Sequence, residues 1–161
     1  TVAIEVGVVL AIVLFVRRVM QTSTISVLEG NEVAATEDVE RASMEDTDRL
    51  AIPAGVEVYE IDGPFFFGVA TKFEEMARTR TSAAVRIIRM RKVSFIDSTG
   101  IHNLTTLVEM NHEKGTEVIL SGITPKVQKQ LLKANFHKVL GSKNFCNNID
   151  EALNRAKELL A

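Results

Sequence analysis

The sequence predicts an α/β fold: a mainly parallel sheet of four to five strands with helices packed on it, preceded by an apolar N-terminal helix. Short apolar runs with strand character alternate with segments in which apolar residues recur at helical spacing. Each strand–helix–strand unit needs a crossover, and such crossovers build parallel sheets. The chain has 161 residues, 46% of them hydrophobic, which is enough to bury a core of this kind.

The N-terminal segment, residues 1–20, is almost wholly apolar from Val2 to Val16 and is closed by Arg17 and Arg18. The apolar run is shorter than the roughly 20 residues that a spanning helix needs. The chain also begins with Thr rather than Met. We therefore expect this segment to be the end of the last transmembrane helix of a longer protein, with the two arginines on the cytoplasmic side. An amphipathic or core-packed helix is the alternative.

Residues 21–50 are predicted to form a solvated acidic linker. Its acidic residues are Glu29, Glu32, Glu37, Asp38, Glu40, Glu45, Asp46 and Asp48. A short strand at Thr24–Leu28 and a helical turn at Glu37–Met44 are compatible with the sequence. The following stretch, 72–92, is basic, and the linker could contact it, although charge runs of this kind more often form a solvated surface.

Residues 51–161 form the predicted globular domain. Strands are predicted at Val56–Ile61, at Ala84–Met90 continuing through Val93–Ile96, and at Glu117–Leu120. Three helices are predicted from apolar residues at helical spacing: Val69, Phe73, Met76 and Ala77; Ile101, Leu104, Leu107 and Val108; Val127, Leu131 and Ala134. The clearest helix is the last, from Ile149 to Leu160, because polar residues fill its other side.

The most informative short segment is Asp97-Ser98-Thr99-Gly100, which stands where a predicted strand gives way to a predicted helix. An Asp or Ser at such a junction caps free backbone N–H groups, and these groups together with the helix dipole favour negative charge. The turn is therefore a plain helix cap, an anion site, or a phosphoswitch that carries its phosphate on Ser98 or Thr99.

A nucleotide or another phosphate-bearing ligand at this turn is a further hypothesis, because Arg89, Arg91 and Lys92 lie nearby in the sequence. Strand alternation places Arg89 and Arg91 on one face of their strand and Lys92 on the other. The sequence alone does not tell which of these faces is directed toward the turn.

Catalytic and metal sites are not predicted. Ser98 or Thr99 with His102 lacks an orienting acid, so we interpret that pairing as chance. His102, His112 and His137 lack the spacing of a metal site. We expect no metal, no cofactor and no enzymatic activity.

Composition limits the remaining classes of function. The net charge of −2 gives no reason to propose a nucleic-acid partner. The single cysteine, Cys146, cannot form an internal disulfide, which agrees with a reducing compartment.

Several segments together resemble a known family. The run from Arg89 to Gly100, RMRKVSFIDSTG, resembles the signature of the STAS domain found at the C-terminus of SulP-family anion transporters. Other landmarks of that family follow in the same order: Gly63-Pro64-Phe65-Phe66-Phe67, then Leu120-Ser121-Gly122 with Pro125, Val127, Leu131 and Phe136. The apolar start ending in Arg17 and Arg18 is similar to the close of the last transmembrane helix in the same family.

The resemblance implies a STAS-like fold and an accessory cytoplasmic domain of an inner-membrane secondary transporter for sulfate or related anions. Its implied partners are the transmembrane domain of the same polypeptide, a second copy of the chain and a cytosolic regulatory protein. The implied contact surface is the turn at Asp97–Gly100 with the exposed side of the following helix, including Thr105, Glu109 and His112.

The resemblance also leaves two alternatives open. In soluble relatives that antagonise anti-sigma factors, the phosphorylated serine directly precedes the glycine of the turn, and Thr99 holds that place here. A free-standing phosphoswitch is therefore one alternative, although Asp97 would repel a new dianion at close range and favours a simple cap. A nucleotide-binding module is the weaker alternative.

Overall fold

The computed structural model describes residues 2–21, 24–28, 51–63 and 83–161. The elements in chain order are α1 (Val2–Gln21), β1 (Thr24–Leu28), β2 (Val56–Asp62), β3 (Val85–Lys92), α2 (Ser98–Glu113), β4 (Glu117–Ser121), α3 (Pro125–Lys133), α4 (His137–Leu140), a 3-10 turn (Ser142–Asn144), β5 (Phe145–Cys146) and α5 (Ile149–Leu160). The helix predicted at 69–77, the turn at 64–67 and most of the acidic linker lie outside the described residues.

The strands form one five-stranded sheet in the order β1-β2-β3-β4-β5. β1 runs antiparallel to β2, and the other neighbouring strands pair in parallel. The mainly parallel α/β sheet that the sequence predicts is therefore confirmed, including the short strand at Thr24–Leu28. Because β1 and β2 are antiparallel, their connection does not have to cross from one end of the sheet to the other.

Helices cover both faces of the sheet, and each face buries its own apolar cluster. The first face packs under α2, α3 and α4 and includes Ile88 and Leu120. The second packs under α5 and includes Ile87 and Ile119. Strands buried on both sides read as continuous apolar runs, which is the pattern of Val118–Leu120 in β4, whereas Arg86 and Arg89 interrupt the apolar residues of β3. Burying each of these apolar side chains contributes about 1.5–3 kcal/mol.

The apolar run Val93–Ile96 does not continue the strand, so that part of the sequence prediction is wrong. β3 ends at Lys92, and the amide of Val93 donates a 3.0 Å hydrogen bond to the carbonyl of Met90. The chain turns there and leads into α2. Val93 and Ile96 are nevertheless fully buried in the first cluster, while Ser94 is exposed, so the apolar residues of this run anchor a loop to the core.

Residues 2–18 of the N-terminal helix α1 are all exposed. Val2, Ile4 and Phe15, for example, are 70%, 72% and 68% exposed. The core-packed alternative for this segment is therefore wrong. Among the helices of the described residues, none combines the length and apolar character needed to cross a bilayer. The assignment of residues 1–20 to the end of a longer membrane helix stays a prediction.

Candidate functional site

The turn before α2 is a helix N-cap built on Asp97. Asp97 has extended backbone angles, φ −97° and ψ 178°, and its Oδ1 accepts a 2.6 Å hydrogen bond from the amide of Gly100. Its carbonyl accepts a 2.9 Å bond from the amide of Ile101, the first helical bond. The side chain of Asp97 thus satisfies the amide of Gly100, which a helix start would otherwise leave unpaired.

Ser98 and Thr99 are both exposed, whereas Gly100 is buried against the domain. The two hydroxyl groups are therefore accessible to a partner or a modifying enzyme. A carboxylate stands next to them in sequence, and it already uses the amide of Gly100. The turn therefore presents fewer free backbone amides to an incoming anion than an uncapped helix start would.

The predicted contact residues continue from the turn as one stripe along α2. At about 100° per residue, Ser98, Thr105, Glu109 and His112 lie on one side of the helix. Glu109 and His112 are exposed, while Thr105 is half-buried and its hydroxyl donates a 2.9 Å bond to the carbonyl of Ile101. The stripe runs about 21 Å from Ser98 to His112, which is enough for one protein surface to cover.

His112 closes this stripe beside Glu117 of β4, with 3.6 Å between Nε2 and Oε2. His102 is exposed and makes no hydrogen bond to Ser98 or Thr99 among the described residues. The structure therefore brings the predicted contact residues onto one surface, but it assembles no nucleophile and base within the described part of α2.

The cations that precede the turn are engaged elsewhere. Arg89 Nη1, Arg91 Nε and Lys92 Nζ lie 3.2, 3.1 and 3.1 Å from the carboxylate of Glu60 on β2. Lys92 also lies 3.4 Å from Asp62. A register shift between Glu60 and Asp62 accompanies this double pairing. Within the described residues, these three cations thus pair with two carboxylates at the C-terminal ends of β2 and β3.

Strand alternation places Arg89 and Arg91 on the face covered by α5, since Val85 and Ile87 of the same strand belong to that cluster. α2 packs on the opposite face through residues such as Leu104. These two arginines therefore do not support an anion at the start of α2. The structure removes the main argument for a nucleotide at the turn.

The carboxylate of Glu60 is 5% exposed and stays charged because of its neighbours. Burial raises the pKa of this group, but hydrogen bonds from Lys92 and Arg91 and the charges of Arg91 and Arg89 outweigh burial, so the pKa is lowered. A buried carboxylate of this kind fixes β2 against β3.

A second charged network lies on the face covered by α2. Arg86 of β3 is 3% exposed; its Nη2 lies 3.0 Å from Glu57 Oε2, and its Nη1 donates to Asn111 Oδ1 of α2. The Tyr59 hydroxyl donates a 2.9 Å bond to the same Glu57 oxygen. Burial, with the carboxylate of Glu57, raises the pKa of Tyr59 to about 12 despite the nearby Arg86 charge. This network ties α2 to the sheet and so positions the stripe.

Neither charged network is predicted from the sequence. The two acid–base pairs Glu57–Arg86 and Glu60–Arg89 are register partners in neighbouring parallel strands, and both are separated by 29 positions in the sequence. That repeated offset between opposite charges was the available signal. This offset indicates pairing between the residues only once β2 and β3 are known to be parallel neighbours.

Comparison with known proteins agrees with this fold. The family model of the STAS domain matches residues 49–152. Among curated proteins, the chain is similar to Sulfate transporter 1.1 of Arabidopsis thaliana, 22% identical over 165 residues. That alignment includes 94% of this chain and 25% of the relative, so the chain spans about a quarter of the relative's length.

Solved structures give closer matches in sequence. A sulfate transporter family protein from Wolinella succinogenes is 39% identical with a TM-score of 0.67, covering 71% of this chain and 94% of that one. The STAS domain of a SulP transporter from Vibrio cholerae is 32% identical with a TM-score of 0.62, covering 68% and 86%. An anti-sigma factor antagonist from Mycobacterium paratuberculosis is 18% identical with a TM-score of 0.55, covering 65% and 88%, a likeness of fold alone.

Proposed function

The chain belongs to the STAS domain family, and we propose that it is the cytoplasmic regulatory and interaction domain of a secondary-active transporter for sulfate or a related anion. The observation that carries this proposal is the likeness to transporter-linked structures at 39% and 32% identity, each covered over most of its length. The likeness to an anti-sigma factor antagonist, at 18%, extends only to the fold.

The helix α1 supports the same proposal. A run of exposed apolar side chains that ends in Arg17 and Arg18 is the chemistry expected where a membrane helix meets the cytoplasm. In this account residues 1–20 close the last membrane helix and residues 21–50 form the acidic linker, within which Thr24–Leu28 adds the edge strand β1 to the sheet. Residues 51–161 form the STAS domain at the inner face of the cell membrane.

The domain acts by surface contact and not by catalysis. The stripe on α2 combines hydroxyl, carboxylate and imidazole groups on a rigid helix that the cap at Asp97 and the bond to Asn111 hold in place. Such a surface suits a protein partner: the transmembrane domain of the same polypeptide, a second copy of the chain or a cytosolic regulator. Thr99 and Ser98 at its end are accessible for phosphorylation, with the plain cap as the favoured role of the turn.

Sulfate uptake by the natural full-length polypeptide, produced in its own cells, tests the proposal. We expect Glu109→Lys, which reverses a charge in the middle of the stripe, to change the uptake rate while the amount of protein in the membrane stays the same. Glu158→Lys is the matched control, because it reverses an exposed charge on α5. Equal uptake by both variants and the unaltered protein would contradict a regulatory contact through this stripe.

A further inference from the structure

The chain separates its charges in a way that the proposed function does not explain. Residues 122–149 contain five lysines and neither Asp nor Glu, although the whole chain has a net charge of −2. The five are Lys126, Lys129, Lys133, Lys138 and Lys143, and all are exposed. The segment that forms α3, α4 and the 3-10 turn therefore carries five positive charges and no carboxylate.

Three of these lysines lie on one face of α3. Lys126, Lys129 and Lys133 follow each other at spacings of three and four residues, while Val127 and Leu131 on the other side are fully buried. Lys129 and Lys133 form no ion pair with any described residue. Lys126 lies 5.5 Å from the ring centroid of Phe95.

An exposed leucine accompanies the lysines. Leu132 is 49% exposed, and outside α1 only one other large hydrophobic side chain in the described residues, Leu160, is comparably open. Long lysine stems beside an exposed leucine suit contact with a membrane surface, because the ammonium groups reach the headgroups while the stems and the leucine cover apolar surface.

We propose that the lysine face, Lys126, Lys129 and Lys133 with Leu132, rests on the anionic phospholipid headgroups of the membrane. This inference rests on the proposed function, which keeps the domain close to a bilayer. Anionic lipid fits better than an acidic protein because a bilayer neutralises spread-out lysines without a shaped counterpart. It also accepts the exposed leucine, and α1 of the same chain supplies a second apolar element.

The expected effect is large enough to measure. A lysine near an anionic membrane surface strengthens partition by roughly fivefold. Neutralising Lys129 and Lys133 should therefore weaken binding to anionic vesicles by about 25-fold at low salt, and high salt should remove the difference. Lys126 is left unchanged because of its contact with Phe95.

The test is vesicle cosedimentation of the full chain, residues 1–161. Phosphatidylcholine vesicles are compared with vesicles that also contain phosphatidylglycerol. α1 and its arginines contribute equally in every variant. The test variant is Lys129→Gln with Lys133→Gln. The control is Lys114→Gln with Lys157→Gln, which removes the same charge from exposed positions on other elements. Glutamine preserves helix propensity, and unchanged thermal unfolding verifies the fold.

We expect the preference for anionic vesicles to fall in the Lys129/Lys133 variant and to stay near the unaltered level in the control. Equal loss in both variants would overturn the proposal, because it would reflect net charge alone. If both the test and the control variants kept their preference for anionic vesicles, the proposal would also be overturned. Lower thermal stability of the test variant without any lipid effect would indicate an acidic protein segment as the occupant and would overturn it as well. If the native polypeptide proved small and membrane-free, the proposed function would fail whatever the vesicles showed.

Discussion

At the level of single residues, Asp97 fixes the start of α2 with one carboxylate oxygen, 2.6 Å from the amide of Gly100. We expect Asp97→Ala to lower the free energy of unfolding by about 1 kcal/mol and Asp97→Asn to retain most of it, because the asparagine oxygen also accepts this bond. Urea unfolding measures both. Ser98→Ala, at an exposed neighbouring position, is the control and should change stability by less than about 0.5 kcal/mol. A loss in the control as large as in Asp97→Ala would contradict the capping role.

Glu60 is the residue on which the charged cluster of β2 and β3 depends. Replacing it with Gln leaves Arg89 buried without its carboxylate, and we expect a loss of about 3–5 kcal/mol in the free energy of unfolding at neutral pH. Asp62→Asn, at a side chain that is 57% exposed, should cost far less. Equal losses in the two variants would show that burial of Glu60 is unimportant.

The same carboxylate predicts a dependence on acid pH. Because the pKa of Glu60 is lowered below its ordinary value of 4.5 in the folded chain, its stabilisation is present above about pH 4.5. It is lost as the pH falls through the lower folded pKa. Chemical unfolding across this range should show the stability of the unaltered chain falling toward that of Glu60→Gln. A constant difference down to the lowest pH would contradict the assignment.

Tyr59 offers a spectroscopic test, because it is the only tyrosine in the chain. Its pKa is raised from 10.0 to about 12, first by burial and also by the carboxylate of Glu57. The folded state therefore favours the protonated phenol, whose stabilisation is complete below pH 10 and is lost as the pH rises through about 12. Tyrosinate absorbance should show ionisation near 12 in the folded chain and near 10 in urea. A folded midpoint near 10 would contradict the buried network.

At the level of elements, the bond from Arg86 to Asn111 joins β3 to α2. Asn111→Leu removes the acceptor from a buried guanidinium, and we expect a loss of about 2 kcal/mol in the free energy of unfolding, measured in urea. Asn154→Leu, at an exposed position on α5, is the matched control and should cost little. If the two variants unfolded at the same urea concentration, Asn111 would not be a link between the elements.

Apolar spacing predicts the longer elements well. Ile149–Leu160 forms α5 as predicted, and the predicted strand Glu117–Leu120 differs from β4 by one residue. The failures have physical causes. Val93 and Ile96 are apolar because they anchor a loop to the core, and apolar spacing does not separate such a loop from a strand. α4 and β5, with four and two residues, are too short to show any period.

Some features of the candidate site are predictable from the sequence and others are not. The cap at Asp97 is predictable because residue type at a strand–helix junction defines it locally. Which helix covers the face of Arg89 and Arg91 is not predictable in this way, since it depends on the packing of helices on the whole sheet. Glu60, 29 residues before Arg89, becomes its partner only through the parallel register of β2 and β3.

At the level of the whole molecule, the exposed apolar side chains of α1 are expected to control how the chain associates in water. We expect the full chain to self-associate in detergent-free buffer by burying apolar residues of α1. Val9→Lys with Val13→Lys, at positions 61% and 56% exposed, should reduce the sedimenting size without changing the melting temperature, since these side chains contact no core residue. Leu132→Lys with Leu160→Lys is the control and should leave the size unchanged. Loss of association in the control alone would place the contact elsewhere.

We propose that this STAS domain is part of a longer membrane polypeptide, and the chain spans about a quarter of the length of Sulfate transporter 1.1. The most direct measurement is the mass and membrane partition of the native polypeptide in its own cells, detected with an antibody against residues 50–161. The account predicts a large band that stays with the membranes until detergent is added. A small band in the soluble fraction would contradict it and would favour the free-standing phosphoswitch.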